Sequence, residues 1–521
     1  MPIHGPSIEG VSPVSIPDLL SSGLQRKPDE IAVASTKNSW TWRQLDKASD
    51  RYAAHLYAKG IRKGDRVASL MPNRDALLLH YLGCLKGGFV AVPLNYRYTP
   101  PEIDYALSLA KAKILLAHVE READLGAAAE VAKLPVGVIR YGAGEGDDSL
   151  EAMLIKEPPP AKLEAPTLAD PAFIFFTSGS TGKPKGVTHS IETLGWILQA
   201  RIHGLGLTAD DVALSAASMS HMGASMTVLA MLAAGGKSLL ARTFDPDEVI
   251  ALARNHAPTV MLMLPAALYR VVSDKAFRHD DFRSLRYCVS GGDKVPAELE
   301  NRFAEVVGIP ISEGYGMSEL GVANLNPSYG DTKPGSIGPP ALGFVESIRD
   351  DDGNEVGPGV EGRLWVQSPS ITPGYWGNPE ATADLIIDGW LDTGDVMRAD
   401  EDGYLHFCGR KKQIIVHDSS NISPQEVEEA LIEHPAISGA GVVGVHDLVH
   451  GENVWAYVTL AQGEDPPSEQ QLIAFARERV GYKAPELIEF LPDMPMNAAG
   501  KTDRVTLKKW AAERHNAEIA A

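Results

Sequence analysis

One ten-residue stretch combines the residue types that binding of a polyphosphate requires. Residues 177–186, TSGSTGKPKG, join small residues and hydroxyls to two lysines and follow an apolar run at 172–176. Main-chain amides in such a loop can approach phosphate oxygens, and lysines neutralise their charge. The loop does not fit the Walker A pattern, because only two residues separate Gly179 from Gly182. Taken alone, it fits either a phosphate cradle or a plain surface turn.

Four other side chains could take part in chemistry, and each also has an ordinary explanation. Glu319 in EGYGMSE offers the hard oxygen that Mg²⁺ prefers, but it also suits the start of a helix. Asp395 in LDTGD can accept two hydroxyls on one carboxylate, or it can belong to a turn. Lys501 in AAGKT can stabilise growing negative charge, or it can be a solvated and inert lysine. His221 in MSHMGAS can border a site, or it can be a satisfied core histidine.

The apolar patterns around these residues predict an α/β fold. Amphipathic stretches alternate with short apolar strand candidates at 40–117 and again after residue 170, which is typical of mixed or parallel sheets flanked by helices. After residue 340, alternating residues and Gly, Asp and Pro turns indicate a β-rich subdomain at about 340–410. Two helical and several strand patterns then predict a small α+β domain. We therefore expect an N-terminal core at 1–411 and a C-terminal domain at 412–521.

Composition argues against several classes of protein. The 521 residues carry a formal net charge of −20, which disfavours a nucleic-acid or anionic-membrane surface. The cysteines Cys84, Cys288 and Cys408 lack disulfide or zinc-ligand spacing. No apolar stretch reaches bilayer length, and the N-terminus lacks the basic and apolar segments of a secretion signal. We expect a cytoplasmic protein without a membrane span or a nucleic-acid partner.

Further motifs accompany the phosphate loop in a fixed order. They are NYRYTPPEIDYAL (95–107), SGGDKVP (290–296), EGYGMSE (313–319), GSIGPP (335–340), GYWGNPEAT (374–382), DGWLDTGDV (388–396), GRKKQIIV (409–416) and NAAGKTDR (497–504). Together they resemble the adenylate-forming superfamily of acyl-CoA synthetases, nonribosomal peptide adenylation domains and firefly-type luciferases. The pattern is most similar to the acyl-CoA synthetases, which are AMP-forming acid–CoA ligases. The resemblance extends over about residues 28–510.

The resemblance implies an ATP-dependent ligase. In this family a carboxylate attacks the α-phosphorus of ATP to give an acyl adenylate, and CoA then displaces AMP to give a thioester. The implied cofactors are ATP, Mg²⁺ and CoA. Thr181 and Glu319 are implied catalytic residues, with Glu319 on the metal, while Tyr315 stacks on adenine and Asp395 holds the ribose. The residues implied to bind the nucleotide are Thr177, Ser178, Gly179, Ser180, Thr181, Lys185, Gly291, Gly292, Asp293, Glu313, Gly314, Tyr315, Gly316, Met317, Ser318, Asp395, Arg410 and Lys501.

Lys501 is implied to be catalytic from the C-terminal domain. It can reach the carboxylate and the α-phosphate only if the small domain closes over the large one, and the resemblance implies a later rotation about a hinge at Lys412. The loop HDSSNISP departs from the family pattern, because Asp418 and Ser419 stand where small residues and glycines are usual. Asp418 adds a negative charge beside the implied thiol channel.

The acyl pocket is predicted from the residues around His221, itself an implied catalytic residue. No acidic residue occurs at 215–234, where an amino-acid-activating domain would place a carboxylate for the substrate ammonium group. We therefore expect an apolar, bulky carboxylic acid. The residues predicted to line its pocket are His221, Met222, Gly223, Met226, Gly291, Met317 and Gly321.

Two alternatives stay open on the sequence. The enzyme could pass its adenylate to another acceptor or to a partner enzyme, with the CoA step impaired by the Asp418 loop. It could instead be a non-catalytic nucleotide-binding relative, although Thr181, Glu319, Asp395 and Lys501 are all present. The sequence also leaves open a homodimer and a downstream acyltransferase or CoA-transfer enzyme as partners.

Overall fold

The computed structural model describes most of the chain. The described residues are 2–142, 144, 146, 149–177, 184–243, 245–291, 295, 297–327, 332–410, 413–417, 420–447, 451–461, 463, 465–497 and 500–520. Within them the strands form four sheets, of which the two largest are flanked by helices. The predicted fold class is confirmed: a large N-terminal part with two mixed sheets and a β-rich sheet, followed by a small α+β part.

The first sheet carries the two ends of the phosphate loop. Its strands, in order across the sheet, are β18 (Gly374–Tyr375), β9 (Lys185–Ser190), β8 (Pro171–Thr177), β5 (Val90–Leu94), β4 (Arg66–Leu70), β6 (Ile114–His118) and β7 (Gly137–Tyr141). Strand β5 is buried along its whole length, as expected of a parallel strand covered on both faces. Strands β8 and β9 pair antiparallel with Thr177 opposite Lys185, so the ends of the loop lie side by side.

The second sheet carries the EGYGMSE and SGGDKVP motifs. Its strands, in order, are β15 (Gly321–Leu325), β14 (Ile311–Met317), β13 (Tyr287–Gly291), β12 (Val260–Met263), β10 (Val212–Ser215), β11 (Lys237–Leu240), β2 (Ile31–Ala34) and β3 (Ser39–Thr41). Strands β13 and β14 are parallel and bring Gly291 opposite Gly314. The carboxyl ends of parallel strands are where α/β sheets usually bind ligands.

The third sheet is antiparallel and corresponds to the predicted β-rich subdomain. Its strands are β1 (Ile3–His4), β16 (Val345–Arg349), β17 (Gly362–Gln367), β19 (Ile386–Ile387), β20 (Trp390–Ala399) and β21 (Leu405–Arg410). Strand β1 comes from the start of the chain, a pairing that the sequence pattern did not predict. Pairing of β20 with β21 places Asp395 opposite Arg410.

The fourth sheet belongs to the C-terminal part of the chain. Its strands are β22 (Ile415–His417), β23 (Ser420–Ile422), β24 (Ile437–Asp447), β25 (Gly451–Leu460) and β26 (Leu487–Leu491). The helices packed on it are α14 (Pro424–Ile432), α15 (Glu469–Val480) and α16 (Arg504–Ala520). Its apolar core is separate from the cores of the other sheets.

The remaining helices cover the larger sheets. They are α1 (Ser21–Arg26), α2 (Trp42–Ala58), α3 (Asp75–Gly87), α4 (Pro100–Ala110), α5 (Glu122–Ala127), α6 (Leu150–Ile155), α7 (Ile191–Leu205), α8 (Met222–Ala234), α9 (Pro246–His256), α10 (Pro265–Val272), α11 (His279–Phe282), α12 (Ala297–Val307) and α13 (Pro379–Leu385). Ser190 and Thr193 form a capping box at the start of α7. Helix α8 is apolar on nearly all sides and belongs to the largest core. Among the helices of the described residues, none is both long and apolar enough to cross a lipid bilayer.

Candidate active site

A buried carboxylate joins the second and third sheets. The side chain of Asp395 is 1% exposed and receives a hydrogen bond on each oxygen: the Tyr315 hydroxyl donates to Oδ2 at 2.6 Å and Arg410 Nε donates to Oδ1 at 2.6 Å. Burial, reinforced by the Asp395 charge, raises the pKa of Tyr315 well above its ordinary value, so the phenol keeps its proton. A carboxylate has about four acceptor sites, so Asp395 can still accept hydroxyl groups of a ligand.

A second buried carboxylate lies beside the phosphate loop. Glu319 follows β14 in the turn that leads to β15, and its Oε1 accepts a hydrogen bond of 2.8 Å from the Tyr375 hydroxyl. The ring of Tyr375 lies under the Lys185 ammonium at 4.7 Å from the ring centre. Strand β18 places Tyr375 there because it pairs with β9. Lys185, Tyr375 and Glu319 therefore form a continuous polar path from the loop to the carboxylate.

The Glu319 site fits a magnesium ion that also binds substrate phosphates. Burial raises the pKa of Glu319, while Tyr375, Arg410 and Lys185 oppose that rise. A nearby cation would favour the charged carboxylate further. Among the described residues no three His, Cys, Asp or Glu side chains are grouped as a metal cage would need. Mg²⁺ commonly takes one or two protein carboxylates and completes its shell with water and phosphate.

His189 holds the turn that carries Glu319. Its Nε2–H donates to the Ser318 carbonyl at 2.7 Å, and its Nδ1 lies 3.2 Å from the Thr193 hydroxyl. Burial lowers the pKa of His189 to about 4, so the ring is neutral at physiological pH. The neutral ring fixes the backbone just before Glu319 without adding charge beside its carboxylate.

Glycines in the nucleotide motifs are required by close backbone contacts. A Cβ on Gly291 would lie 2.5 Å from the Gly314 carbonyl oxygen, and one on Gly316 would lie 2.2 Å from the Gly321 carbonyl oxygen. Glu313, the neighbouring residue of β14, is buried and accepts a 3.2 Å hydrogen bond from the Val295 amide. These contacts hold the ends of β13 and β14 together at the predicted nucleotide edge.

His221 is a neutral histidine between the acyl region and the C-terminal lysine. Asn95 Nδ2 donates to His221 Nε2 at 3.2 Å, and Asn95 Oδ1 accepts from the Arg97 amide at 2.9 Å. Burial, assisted by the charges of Lys501 and Arg97, lowers the pKa of His221 to about 4. Lys501 is therefore within electrostatic range of His221, which brings together two predicted catalytic residues that are far apart in sequence.

The predicted acyl-pocket residues have different environments. Gly223, on the first turn of α8, is exposed, and no atom lies within 4 Å of the position a Cβ would take. Met222 is 4% exposed and Met226 is fully buried in the core. Gly321 is buried with φ of +84°, and Met317 is half-buried on β14. The open side of this region is therefore at Gly223.

Several predicted site residues lie outside the described part of the chain. These are Ser178, Gly179, Ser180, Thr181, Gly292, Asp293, the hinge residue Lys412, and Asp418 and Ser419 of the unusual loop. Their predicted roles stay predictions.

Three residues of the site were not predicted from the sequence, namely Tyr375, Asn95 and His189. Tyr375 and Asn95 stand inside the quoted motifs GYWGNPEAT and NYRYTPPEIDYAL, which was the signal that could have drawn attention to them. Their roles depend on contacts with residues distant in sequence, which the motifs alone do not reveal.

Comparison with known proteins identifies the class. A family model described as AMP-binding enzyme matches residues 20–376, and one described as AMP-binding enzyme C-terminal domain matches residues 426–501. The chain is 35% identical over 478 residues to a feruloyl-CoA synthase of Amycolatopsis sp, over 91% of this chain and 94% of that protein. The solved structure of the anthranilate CoA ligase AuaEII with anthranoyl-AMP has a TM-score of 0.88 at 27% identity, covering 96% of this chain and 97% of that one. The amide bond synthetase McbA from Marinactinospora thermotolerans has a TM-score of 0.85 at 28% identity, covering 95% of this chain and 100% of that one.

The chain therefore belongs to the AMP-binding enzyme family. It is a ligase of the acyl-CoA synthetase type: it activates a carboxylic acid with ATP and Mg²⁺ and forms an acyl-CoA thioester. The predicted enzyme class, reaction and cofactors are confirmed.

Proposed function

We propose that this ligase acts on a carboxylic acid with an apolar, aromatic body, and that Lys501 and His221 define where the acid meets ATP. The observation that carries the proposal is that the charge of Lys501, in the C-terminal part, acts on His221 beside the first turn of α8 and helps to lower its pKa. It supports an arrangement in which the C-terminal part is closed over the site for the first half-reaction.

In that half-reaction a carboxylate oxygen of the acid attacks the α-phosphorus of ATP. The bond from the α-phosphorus to the bridging oxygen breaks, and pyrophosphate leaves with the electron pair. Lys501 stabilises the charge that develops on the α-phosphate, while Lys185 and the loop at 177–186 bind the departing phosphates. Bound Mg²⁺ would be held by Glu319 and would neutralise phosphate charge. Preorganised charges of this kind cost little reorganisation when the reaction takes place.

The nucleotide is held by the buried Asp395 network. The acceptor sites that Tyr315 and Arg410 leave free on Asp395 can bind the ribose hydroxyls. The ring of Tyr315, half-buried on β14, is available for stacking on adenine. The end of β13 at Gly291 would form the opposing edge of this site.

The second half-reaction needs a different arrangement of the two domains. We propose that the C-terminal domain, residues 412–521, turns about Lys412 against the core at 1–411. The turn would remove Lys501 and admit the thiol of CoA. The thiolate then attacks the acyl carbonyl carbon, the bond to the phosphate oxygen breaks, and AMP leaves.

The environment of α8 supports the proposed acid class. Its first turn offers open space at Gly223 beside apolar Met222, and no carboxylate occurs at 215–234 to bind a substrate ammonium group. Similarity to a feruloyl-CoA synthase and to an anthranilate CoA ligase supports an aromatic acid.

A second candidate acceptor, in addition to CoA, is an amine. Similarity to an amide bond synthetase favours it, as does the negative charge that Asp418 adds to the loop. In this reaction the amine nitrogen attacks the acyl carbonyl carbon, AMP leaves, and the nitrogen loses a proton. The alternative of a protein that only binds the nucleotide has no support in the buried, hydrogen-bonded site residues.

We also propose that the enzyme is cytoplasmic, where ATP and CoA are available. A homodimer and a downstream acyltransferase or CoA-transfer enzyme that consumes the thioester are further proposals.

Mass spectrometry tests the proposed function. The enzyme is incubated with ATP, Mg²⁺, CoA, a primary amine and a pool of aromatic and aliphatic acids. Aromatic acyl-CoA together with AMP is the expected product. Acyl amide formed beside acyl-CoA would establish the second candidate, and thioesters of aliphatic acids alone would contradict the aromatic assignment.

A further inference from the structure

Arg201 carries a buried positive charge without a carboxylate partner among the described residues. It lies on α7, is 5% exposed, and donates from Nη1 to the Thr227 hydroxyl of α8 at 2.7 Å. Its Nε is buried and has no hydrogen-bond partner within the part of the chain that the structure describes. Burial lowers its pKa to about 10, so the guanidinium stays charged at neutral pH.

Other arginines of the molecule have carboxylate partners. Arg410 pairs with Asp395 and Arg286 pairs with Asp211, while Arg504 pairs with Glu428. A buried charge normally has such a partner, because leaving it unpaired is costly. Arg201 is thus a guanidinium whose hydrogen-bonding capacity is largely unused among the described residues.

The position of Arg201 connects it to the predicted acyl pocket. Ile197, one turn earlier on α7, lies 3.2 Å from the position of a Cβ on Gly321, and Met222 lies 3.6 Å from the same point. On α8, the Thr227 hydroxyl donates to the Gly223 carbonyl at 2.8 Å. Four residues of helix correspond to about 6 Å. The guanidinium therefore contacts α8 one turn beyond the open position at Gly223.

We propose that Arg201, held in place by the Thr227 hydroxyl, forms the far end of the acyl pocket and binds an oxygen acceptor on the acid, at the end remote from the carboxylate that is activated. This inference rests on the proposed function. A second carboxylate would match the planar guanidinium and neutralise it, and a phenolic hydroxyl would accept one of its N–H groups. The acid is then apolar along its body and polar at its far end.

A matched series of acids tests the inference. The probes are cinnamate with para-methyl, para-hydroxyl or para-carboxyl groups, together with the corresponding benzoates, and the readout is kcat/KM for pyrophosphate release. An acceptor-bearing acid is expected to exceed its methyl analogue by about 10- to 100-fold, as a hydrogen bond to a charged group allows. A higher kcat/KM for the carboxyl form would identify the acceptor as a second carboxylate, and a higher value for the hydroxyl form would identify it as a phenolic hydroxyl.

Arg201→Met should remove that preference, with the loss falling on the acceptor-bearing acids. Arg254→Met is the matched control, because Arg254 pairs with Asp281 at the surface on α9. Thr227→Val, which keeps the side-chain volume, carries the same test if Arg201→Met does not fold, and it should weaken the preference.

Two results would overturn the inference. One is that, in the unmodified enzyme, the methyl analogues give the same kcat/KM as the acceptor-bearing acids. The other is a folded Arg201 variant that loses the same factor on every acid, which would make Arg201 structural. Failure to activate any acid would overturn the proposed function and this inference with it, whereas turnover without preference would overturn the inference alone.

Discussion

Asn95 fixes the protonation state of His221. The Asn95 side chain cannot turn over without losing the hydrogen bond from the Arg97 amide to its Oδ1, so its Nδ2–H faces His221 Nε2 at 3.2 Å. His221 therefore accepts on Nε2 and carries its proton on Nδ1, and burial keeps it neutral with a pKa of about 4. A neutral ring within electrostatic range of Lys501 would leave the positive charge of the lysine available for a phosphate in the proposed reaction.

Replacing Asn95 by Asp should reverse this arrangement. The carboxylate would favour a proton on Nε2 and raise the pKa of His221. The imidazolium–carboxylate pair would then compete with the substrate carboxylate for Lys501, so we expect adenylate formation to fall by about 10-fold or more. The measurement is the pH profile of pyrophosphate release, in which a new ionisation should emerge near neutral pH. Asn95→Ala, which removes the donor without adding charge, should lower the rate without that ionisation, and identical profiles for the two variants would refute the account.

Glu346 should make stability fall as pH rises. Its carboxyl is fully buried on β16 and accepts a 3.0 Å hydrogen bond from Asn324 Nδ2, while its Oε1 and the Asn324 Oδ1 have no partner among the described atoms. Burial raises the pKa of Glu346 to about 8. A protonated Glu346 carboxyl can donate a hydrogen bond from Oε1 to the Asn324 Oδ1 atom. The folded state then binds more protons than the unfolded state between about pH 4.5 and 8, so stability declines across that window.

Glu346→Gln should abolish this decline, since glutamine can make the same pair of hydrogen bonds without titrating. The melting temperature measured from pH 5 to 9 should be flatter for the variant, and the difference should correspond to roughly 3–5 kcal/mol at the alkaline end. If the melting temperature changes with pH in the same way in both proteins, Glu346 does not titrate in this range. Asn324 lies opposite Tyr315 in the β14–β15 pair, so the same pairing supports the predicted adenine residue.

Tyr375→Phe should raise the Mg²⁺ concentration that adenylation requires more than it raises the required ATP concentration. The substitution keeps the ring under Lys185 and removes the hydroxyl that orients Glu319. Groups that orient a metal ligand typically contribute about 10- to 100-fold in affinity or activity. We expect the Mg²⁺ concentration for half-maximal adenylation to rise by about 10-fold. Tyr57→Phe, in the last turn of α2 with Arg62 over its ring, is the control, and an equal response of both variants would rule out the orienting role.

The sequence predicted the architecture better than the partners of individual side chains. The alternating apolar patterns around β4, β5 and β6 predict strands and helices from neighbouring residues alone, so the α/β class could be predicted from local sequence. The contact between Tyr375 and Glu319 depends on pairing of β18 with β9, which are far apart in the chain. No local pattern indicates such a pairing.

The buried pair of Glu346 and Asn324 was also invisible in the sequence. A glutamate in a strand is ordinarily expected at the surface, because burial of a charged group is costly. The proton that makes burial tolerable depends on an asparagine in another sheet, which only the tertiary structure provides. Motif resemblance, in contrast, assigned Asp395 and Arg410 to one predicted site, since both stand in recognisable strings, and the structure pairs their side chains.

Lys501 carries the central claim, namely that one lysine serves the first half-reaction and then withdraws. The most direct measurement compares Lys501→Ala with the unmodified enzyme in the two half-reactions separately, with Lys509→Ala, an exposed lysine of α16, as the control. Adenylate formation should fall by about 100- to 1000-fold, as for loss of a preorganised charge in other enzymes. Thioester formation from a supplied acyl adenylate and CoA should change by no more than about threefold, below 1 kcal/mol. An equal loss in both half-reactions would contradict the account.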